Sequence, residues 1–190
     1  MAYKLKITGL TGFKQTLKES RQEIKASIQE LNNKSISFNV GGIVVNAEFK
    51  DQKVTSFLEK LPSLINKAHK NALNQLTELL RDALNTAMES SVWDWGSDSR
   101  DIIDTGALRD SLKLYVDSDG DIHILYGEDY AAIVHYGGYF HPFGNENVIQ
   151  YYPGRPWVDS VLSGGGPVPQ FDFASNYINL FTLELERLIG

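Results

Sequence analysis

The sequence predicts an α+β fold in which long helices pack on a small antiparallel sheet, with an additional β-hairpin and a C-terminal helix. Apolar residues recur at helical spacing in long segments and alternate with polar residues in two short ones, and glycine or asparagine separates these segments. With 190 residues, the chain is long enough for one domain with an appendage. We expect a single domain over residues 1–163, with an inserted hairpin at 35–49, followed by a flexible Gly/Pro break and a helical extension over 164–190.

Two long helices are predicted in the N-terminal half, each from an apolar stripe. Over Gly12–Asn32 the stripe includes Phe13 and Leu17, and Lys, Glu, Gln and Ser fill most of the positions between its apolar residues. The second helix is predicted from about Leu61 to about Ser90. Its apolar stripe is wide, so we expect part of it to meet something outside this chain. Pro62 is expected in its first turn, where a proline costs no backbone hydrogen bond.

Alternating apolar and polar residues predict two β-hairpins. The first is Ser35–Phe49, with Gly41-Gly42 as a two-residue turn. The second pairs Lys113–Val116 with Asp121–Tyr126 around an Asp-Gly turn at Asp117–Gly120. The first hairpin keeps one polar face, which suits a projecting hairpin or a sheet edge.

The C-terminal half is predicted to contain short helices and loops. A short helix over Glu128–Tyr136 is expected to end at Gly137-Gly138. Tyr139–Tyr152 is predicted to be an aromatic loop with a candidate strand at Val148–Tyr152. The remaining predicted segments are a short helix at Trp157–Leu162, a break at Ser163–Pro167 and an amphipathic helix from about Ser175 to Ile189.

Composition excludes several classes of protein. The chain has no cysteine, which excludes disulfides, thiolate zinc sites, iron–sulfur clusters and cysteine nucleophiles. A net charge of -6 argues against a broad basic face that grips nucleic acid. No signal peptide and no apolar run long enough to span a bilayer is apparent, so we expect a soluble protein of cytosolic origin.

No catalytic, cofactor-binding or metal-binding residue is predicted. The histidines lack the spacing of zinc ligands, so core or interface positions are expected for all of them: His69, His123, His135 and His141. Asp117–Asp121 is similar to a calcium loop only superficially, because its glycine is misplaced and its flanks are strands. Gly164–Gly166 is predicted to be a linker, since no lysine or serine of a phosphate-binding loop follows it.

An acidic loop supports an alternative function. Carboxylates lie close together beside Trp93 and Trp95, and paired carboxylates next to aromatics are what a glycoside hydrolase uses. These acids are Asp94, Asp98, Asp101 and Asp104. A small carbohydrate-binding or hydrolytic protein is therefore the alternative, against the simpler interpretation of a solvated loop.

Aromatic residues are concentrated between Tyr126 and Trp157. Tyrosine and tryptophan are enriched in protein–protein contacts, although a locally aromatic core would give the same pattern. The hairpin 35–49 is a candidate second face, and the C-terminal helix could contact a neighbour. The candidate interface residues are Tyr139, Phe140, Phe143, Tyr151, Tyr152, Arg155 and Trp157.

Three short segments follow one another in a fixed order. They are DTGALRDSL at 104–112, YAAIVHYG at 130–137 and GRPWV at 154–158. This succession resembles the neck proteins of tailed bacteriophages, the head–tail connector and tail-completion family with its virion morphogenesis relatives. Ile7–Leu10 before a helix is also similar to that family's start. His135-Tyr136-Gly137 departs from the family pattern, in which many members have an acid before the glycine.

The resemblance implies a structural virion protein without catalysis. It implies a homo-oligomeric ring in the neck, between portal or connector proteins and tail-tube or terminator proteins, assembled in the host cytoplasm and without a membrane. DNA would pass through the ring without sequence-specific binding. The residues expected to shape the three segments are Thr105, Gly106, Leu108, Tyr130, Gly137 and Pro156. A soluble adaptor whose aromatic cluster is simply core is a third interpretation.

Overall fold

The computed structural model describes residues 3–7, 36–40, 43–47, 53–89, 93, 106–141 and 145–189, with residues 15, 18, 19, 22 and 23. Helices and small antiparallel sheets make up these regions, which confirms the predicted α+β class. The elements are β1 Tyr3–Ile7, β2 Ile36–Val40, β3 Ile43–Ala47, α1 Lys53–Ala87, α2 Ala107–Asp110, β4 Leu112–Val116, β5 Ile122–Tyr126, α3 Ala131–Tyr136, β6 Gly137–Phe140, β7 Gln150–Pro153, α4 Trp157–Ser163 and α5 Phe173–Ile189.

The described strands form three separate antiparallel sheets. The largest has the order β1-β5-β4, with Tyr126 paired to both Tyr3 and Leu112. Strands β2 and β3 form the predicted first hairpin, and β6 and β7 form another. Of the predicted helix over 12–32, the five described residues are helical and exposed, and the rest lies outside the described residues.

Helix α1 is the longest element and supplies much of the core. Its 35 residues extend over about 52 Å at 1.5 Å per residue. It begins at Lys53, so the expectation that Pro62 lies in the first turn is wrong. An interior proline costs about 3 kcal/mol, and burial of Leu61 and partial burial of Phe57 on the core offset that cost. No helix among the described residues is long and apolar enough to cross a membrane.

Most of the wide apolar stripe of α1 is covered by the chain itself, because strand β4 and helices α4 and α5 pack against it. Leu79 remains 40% exposed, and the expectation that part of the stripe meets something outside this chain stays a prediction. The core residues of α1 are Leu61, Ile65, Ala68, Ala72, Leu73, Leu76, Leu80, Leu84 and Ala87. Those of the sheet and the C-terminal helices are Leu112, Ile122, Ile124, Tyr126, Trp157, Val158, Val161, Tyr177, Phe181 and Leu185.

The C-terminal helix α5, which the sequence predicted as an extension, packs on this core. The backbone N–H of Phe171 donates to the carbonyl of Val161 at 2.8 Å, so the connection is tied to α4. In α5, the carboxylate of Glu184 accepts hydrogen bonds from Asn71 Nδ2 at 2.8 Å and Gln75 Nε2 at 2.9 Å, both on α1. Helix α5 is therefore a structural part of the domain.

Replacement of Glu184 by glutamine should flatten the acid side of the stability profile. The hydrogen bond from Arg187, with those from Asn71 and Gln75, lowers the pKa of Glu184 from 4.5 to about 2. A carboxyl with a lowered folded-state pKa stabilises the protein above pH 4.5, and this contribution is lost as pH falls toward 2. Thermal unfolding of Glu184→Gln should therefore show a lower Tm at neutral pH and a smaller fall in acid. The exposed Glu186→Gln is the control; identical pH profiles for Glu184→Gln and the wild type would contradict this role.

Candidate functional site

Four of the five most exposed large apolar side chains among the described residues lie on and beside the β6–β7 hairpin, and the fifth is Leu183 on α5. Tyr136 is 62% exposed, Tyr139 73%, Ile149 67% and Tyr151 58%. We call these four residues the tyrosine surface. Tyr139 and Tyr151 are directly paired across the hairpin, and their ring centroids lie 5.2 Å apart at an angle of 60°. The two rings therefore present a tilted pair to the outside.

Regular strands lie at both ends of the predicted aromatic loop: β7 overlaps the candidate strand at Val148–Tyr152, whereas β6 was not predicted. Tyrosine and phenylalanine fit a pleated surface and pair well across antiparallel strands. Phe140 and Tyr152 are both half-buried, with ring centroids 6.4 Å apart. Residues 142–144 lie outside the described residues, and with them the candidate interface residue Phe143.

Two glycines fix the base of the hairpin. Gly137 has φ +78°, a conformation that favours glycine. A Cβ atom on Gly154 would overlap the backbone of Tyr136 and Gly137, and one on Gly137 would meet the backbone of Gly154. The N–H of Arg155 donates to the carbonyl of Val134 at 2.9 Å. The backbone that enters the hairpin at Gly137 therefore lies against the backbone that leaves it at Gly154. The two are too close for any residue with a side chain at either position.

Trp157 lies in the core directly after this crossing. It is 0% exposed, and its Nε1 donates a hydrogen bond to the hydroxyl of Tyr126 at 3.0 Å. Its ring makes edge contacts with Tyr126, at 5.4 Å between centroids, and with His135, at 4.8 Å. The hydroxyl of Tyr126 contacts the sulfur of Met88 at 3.8 Å. We call these four residues the Trp157 junction.

Two predicted interface residues are buried within the chain, which corrects their assignment. Trp157 follows Pro156 at the start of α4, and the helix directs it into the core. Arg155 is 4% exposed, with its guanidinium carbon 5.7 Å from the centre of the Tyr152 ring. Neither side chain can contribute to an outer face. Tyr139, Phe140, Tyr151 and Tyr152 remain at the surface or partly exposed.

The electrostatics of the junction favour uncharged side chains. Burial lowers the pKa of His135, and the nearby charge of Asp159, 3.9 Å from Nε2, raises it by a smaller amount. Burial also raises the pKa of Tyr126 well above its ordinary value, against the smaller lowering effect of its hydrogen bond from Trp157. Both shifts favour the uncharged forms of His135 and Tyr126, which suits their close packing in the Trp157 junction.

The acidic turn between β4 and β5 is a hairpin turn, as predicted. Asp117 Oδ1 accepts hydrogen bonds from the N–H groups of Asp119 and Asp121, at 2.8 and 2.9 Å. Its Oδ2 lies 2.8 Å from Nε2 of His123, which stacks on Tyr115. These carboxylate oxygens are occupied by the turn. In the part of the chain that the structure describes, no group of three or more His, Asp or Glu residues could hold a metal ion.

Of the residues predicted to shape the three segments, some are buried and others are exposed. Gly106 is buried at φ +78°, and Leu108 is 2% exposed in the core. Tyr130, just before α3, is 41% exposed, and Pro156 immediately precedes α4. Thr105 lies outside the described residues.

The acidic loop of the alternative function is not among the described residues, apart from Trp93. The acids Asp94, Asp98, Asp101 and Asp104 and the aromatic Trp95 lie outside them. Trp93 is half-buried, and its Nε1 donates to the carbonyl of Ala87 at 2.7 Å, at the end of α1. This indole packs on the helix end, and the carbohydrate hypothesis stays a prediction.

Sequence reasoning missed the central position of Tyr126 and the crossing of Gly137 with Gly154. Tyr126 pairs with the first segment through Leu112 and with the third through Trp157. Its position at the end of a predicted strand gives no signal of this role. The two glycines are far apart in the chain, so nothing in the local sequence indicates that they meet.

The chain was compared with protein-family models, with curated proteins and with solved structures, and no match was found.

Replacement of Tyr126 by phenylalanine should destabilise the fold through the Trp157 junction. The change removes the acceptor of the Trp157 N–H and leaves a buried donor unsatisfied, which costs about 1–3 kcal/mol. Urea unfolding should show that loss. As a matched control, Tyr115→Phe alters a tyrosine that is 46% exposed and should stay within about 0.5 kcal/mol of the wild type. Equal stability of the two variants would show that the hydrogen bond does not hold the junction together.

Proposed function

We propose that this chain is a structural protein of the neck of a tailed bacteriophage. Copies form part of the ring that joins the DNA-filled capsid to the tail, next to portal or connector proteins and tail-tube or terminator proteins. The proposal begins from the resemblance of residues 104–112, 130–137 and 154–158 to that family. The role is structural, and the chain carries out no catalytic step.

The observation that carries the proposal is the tyrosine surface on its fixed hairpin. A ring protein needs side chains that stay ordered before assembly and become buried in it. Tyrosine suits this task because it supplies a large apolar area with few rotatable bonds and a polar tip. The second and third segments flank the hairpin, and they meet where the Arg155 N–H donates to the Val134 carbonyl.

The chemistry of the three segments agrees with a structural role. Leu108 from the first segment and Trp157 from the third are buried, and His135 from the second lies between Trp157 and Tyr136. These buried side chains of the three segments are used for packing, whereas Tyr136 of the second segment belongs to the tyrosine surface. This packing forms a scaffold that holds the β6–β7 hairpin at the surface.

The net charge of -6 is compatible with DNA passing through the ring. Affinity for DNA comes mainly from lysine and arginine contacts to phosphates. A protein that must let DNA pass benefits from few such contacts.

A stop codon in the gene tests the proposal. Electron microscopy of the lysate should show filled heads separate from tails, and supply of the wild-type protein should restore joined virions. The Tyr139→Ala/Tyr151→Ala protein should fold and yet restore few joined virions, because the tyrosine surface is lost. Tyr115→Ala, which removes an exposed tyrosine on β4, is the matched control and should restore them. Normal virions from the stop-codon lysate would refute the neck role.

A further inference from the structure

A second exposed apolar segment lies between α4 and α5. Pro167 and Pro169 are exposed, while Val168 between them is partly buried against the core. We call residues 167–169 the proline segment. Proline fixes its own backbone φ angle, so alternating prolines present an ordered ridge with little conformational entropy to lose on binding.

The proline segment is held firmly on the domain. The Nε2 of Gln170 donates to the carbonyl of Leu162 at 3.0 Å, just after the segment. Just before it, a Cβ on Gly166 would overlap the side chain of Ser160, so the backbone lies directly on α4. The exposed prolines are therefore displayed by a fixed backbone, as the tyrosines are on β6–β7.

We propose that the tyrosine surface of one copy receives the proline segment of a second copy of this chain. The inference rests on the proposed function, because a ring requires two different matching faces on each subunit. Aromatic clefts are a recurrent binding site for extended proline-containing segments. The Tyr139 and Tyr151 rings contact each other, with centroids 5.2 Å apart, and together they offer an exposed aromatic surface of this kind on the outside of the domain.

The distribution of charge along the chain permits a second copy as the occupant. Copies with a net charge of -6 repel one another, so self-association requires surfaces that carry little charge. Charged residues make up 22% of the chain, yet Glu146 is the only Asp, Glu, Lys or Arg in 137–153. Residues 163–171 contain none. These two segments can approach each other with little like-charge repulsion.

The exposed area fits a subunit contact. Since aromatic side chains present 150–250 Å² each, the three tyrosines at their observed exposures offer on the order of 400 Å². A stable interface buries about 800 Å² on each partner. The tyrosine surface thus supplies about half of one face as an apolar centre, and the polar residues near the hairpin tip, such as Asn145 and Asn147, supply a rim.

Cross-linking between single-cysteine variants tests the contact, because the chain has no cysteine of its own. Gln150→Cys protein with an affinity tag keeps the whole tyrosine surface, and untagged Ser163→Cys protein keeps both prolines; both positions are exposed. The two proteins are mixed and treated with a short bismaleimide. We expect a tagged–untagged dimer, at about ten times the yield obtained when Ser118→Cys in the β4–β5 turn replaces Ser163→Cys. Equal yields for the two pairs, a dimer linked only through Gln150→Cys in both copies, or no dimer would overturn the inference.

A second measurement separates this inference from the proposed neck role. Pro167→Ser/Pro169→Ser keeps Val168 and the ties to α4, so unfolding experiments should show a folded domain. In the stop-codon lysate this variant should restore joined virions at least about tenfold less well than wild type, as expected for loss of an interface hot spot. Full restoration by a folded variant would overturn the contact while leaving the neck role intact. Normal virions without any of this protein would refute the neck role itself.

Discussion

One buried contact connects the elements on which the tyrosine surface depends. In it, Trp157 Nε1 donates a hydrogen bond to the Tyr126 hydroxyl, and the two rings pack edge to face. Tyr126 ends the central strand of the three-stranded sheet, and its hydroxyl reaches Met88 just beyond α1. Trp157 begins α4 and lies against His135 of α3. The three-stranded sheet, the end of α1 and the short helices α3 and α4 therefore meet at one buried contact.

The surface hairpin depends on that contact. Strand β6 begins directly after α3, and β7 ends four residues before Trp157. Both ends of the hairpin are thus tied to the junction, and the crossing of Gly137 and Gly154 removes the freedom that remains. A tyrosine surface on such a base loses little conformational entropy when it binds, which is the property that an assembly contact needs. The same argument applies to the proline segment, whose flanking residues Gly166 and Gln170 contact α4.

Local patterns in the sequence predict most of the helices and strands, but they do not predict the Trp157 junction or which aromatic residues are exposed. The β4–β5 hairpin follows from alternation around an Asp-Gly turn, and α1 follows from its apolar stripe. Strand β1 was not predicted, because five residues have little signal until β5 supplies a partner. Pro62 was placed in the wrong turn, because tertiary burial of Leu61 and Phe57 overrides the local cost of an interior proline. Composition alone could not separate buried Trp157 from exposed Tyr139, because aromatic residues suit both the core and an interface.

The central claim is that the β6–β7 hairpin is held rigidly on the Trp157 junction. Hydrogen–deuterium exchange of the β6–β7 amides tests this claim most directly. In the wild type, the hydrogen-bonded amides within 137–140 and 150–152 should be protected to the same degree as those of β4 and β5. Gly154→Ala should abolish protection in β6–β7 and leave β4–β5 protected. Gly127→Ala, whose Cβ would meet Ser111 at an ordinary 3.6 Å, should leave both hairpins protected. Rapid exchange of the β6–β7 amides in the wild type, beside a protected β4–β5 pair, would contradict the account.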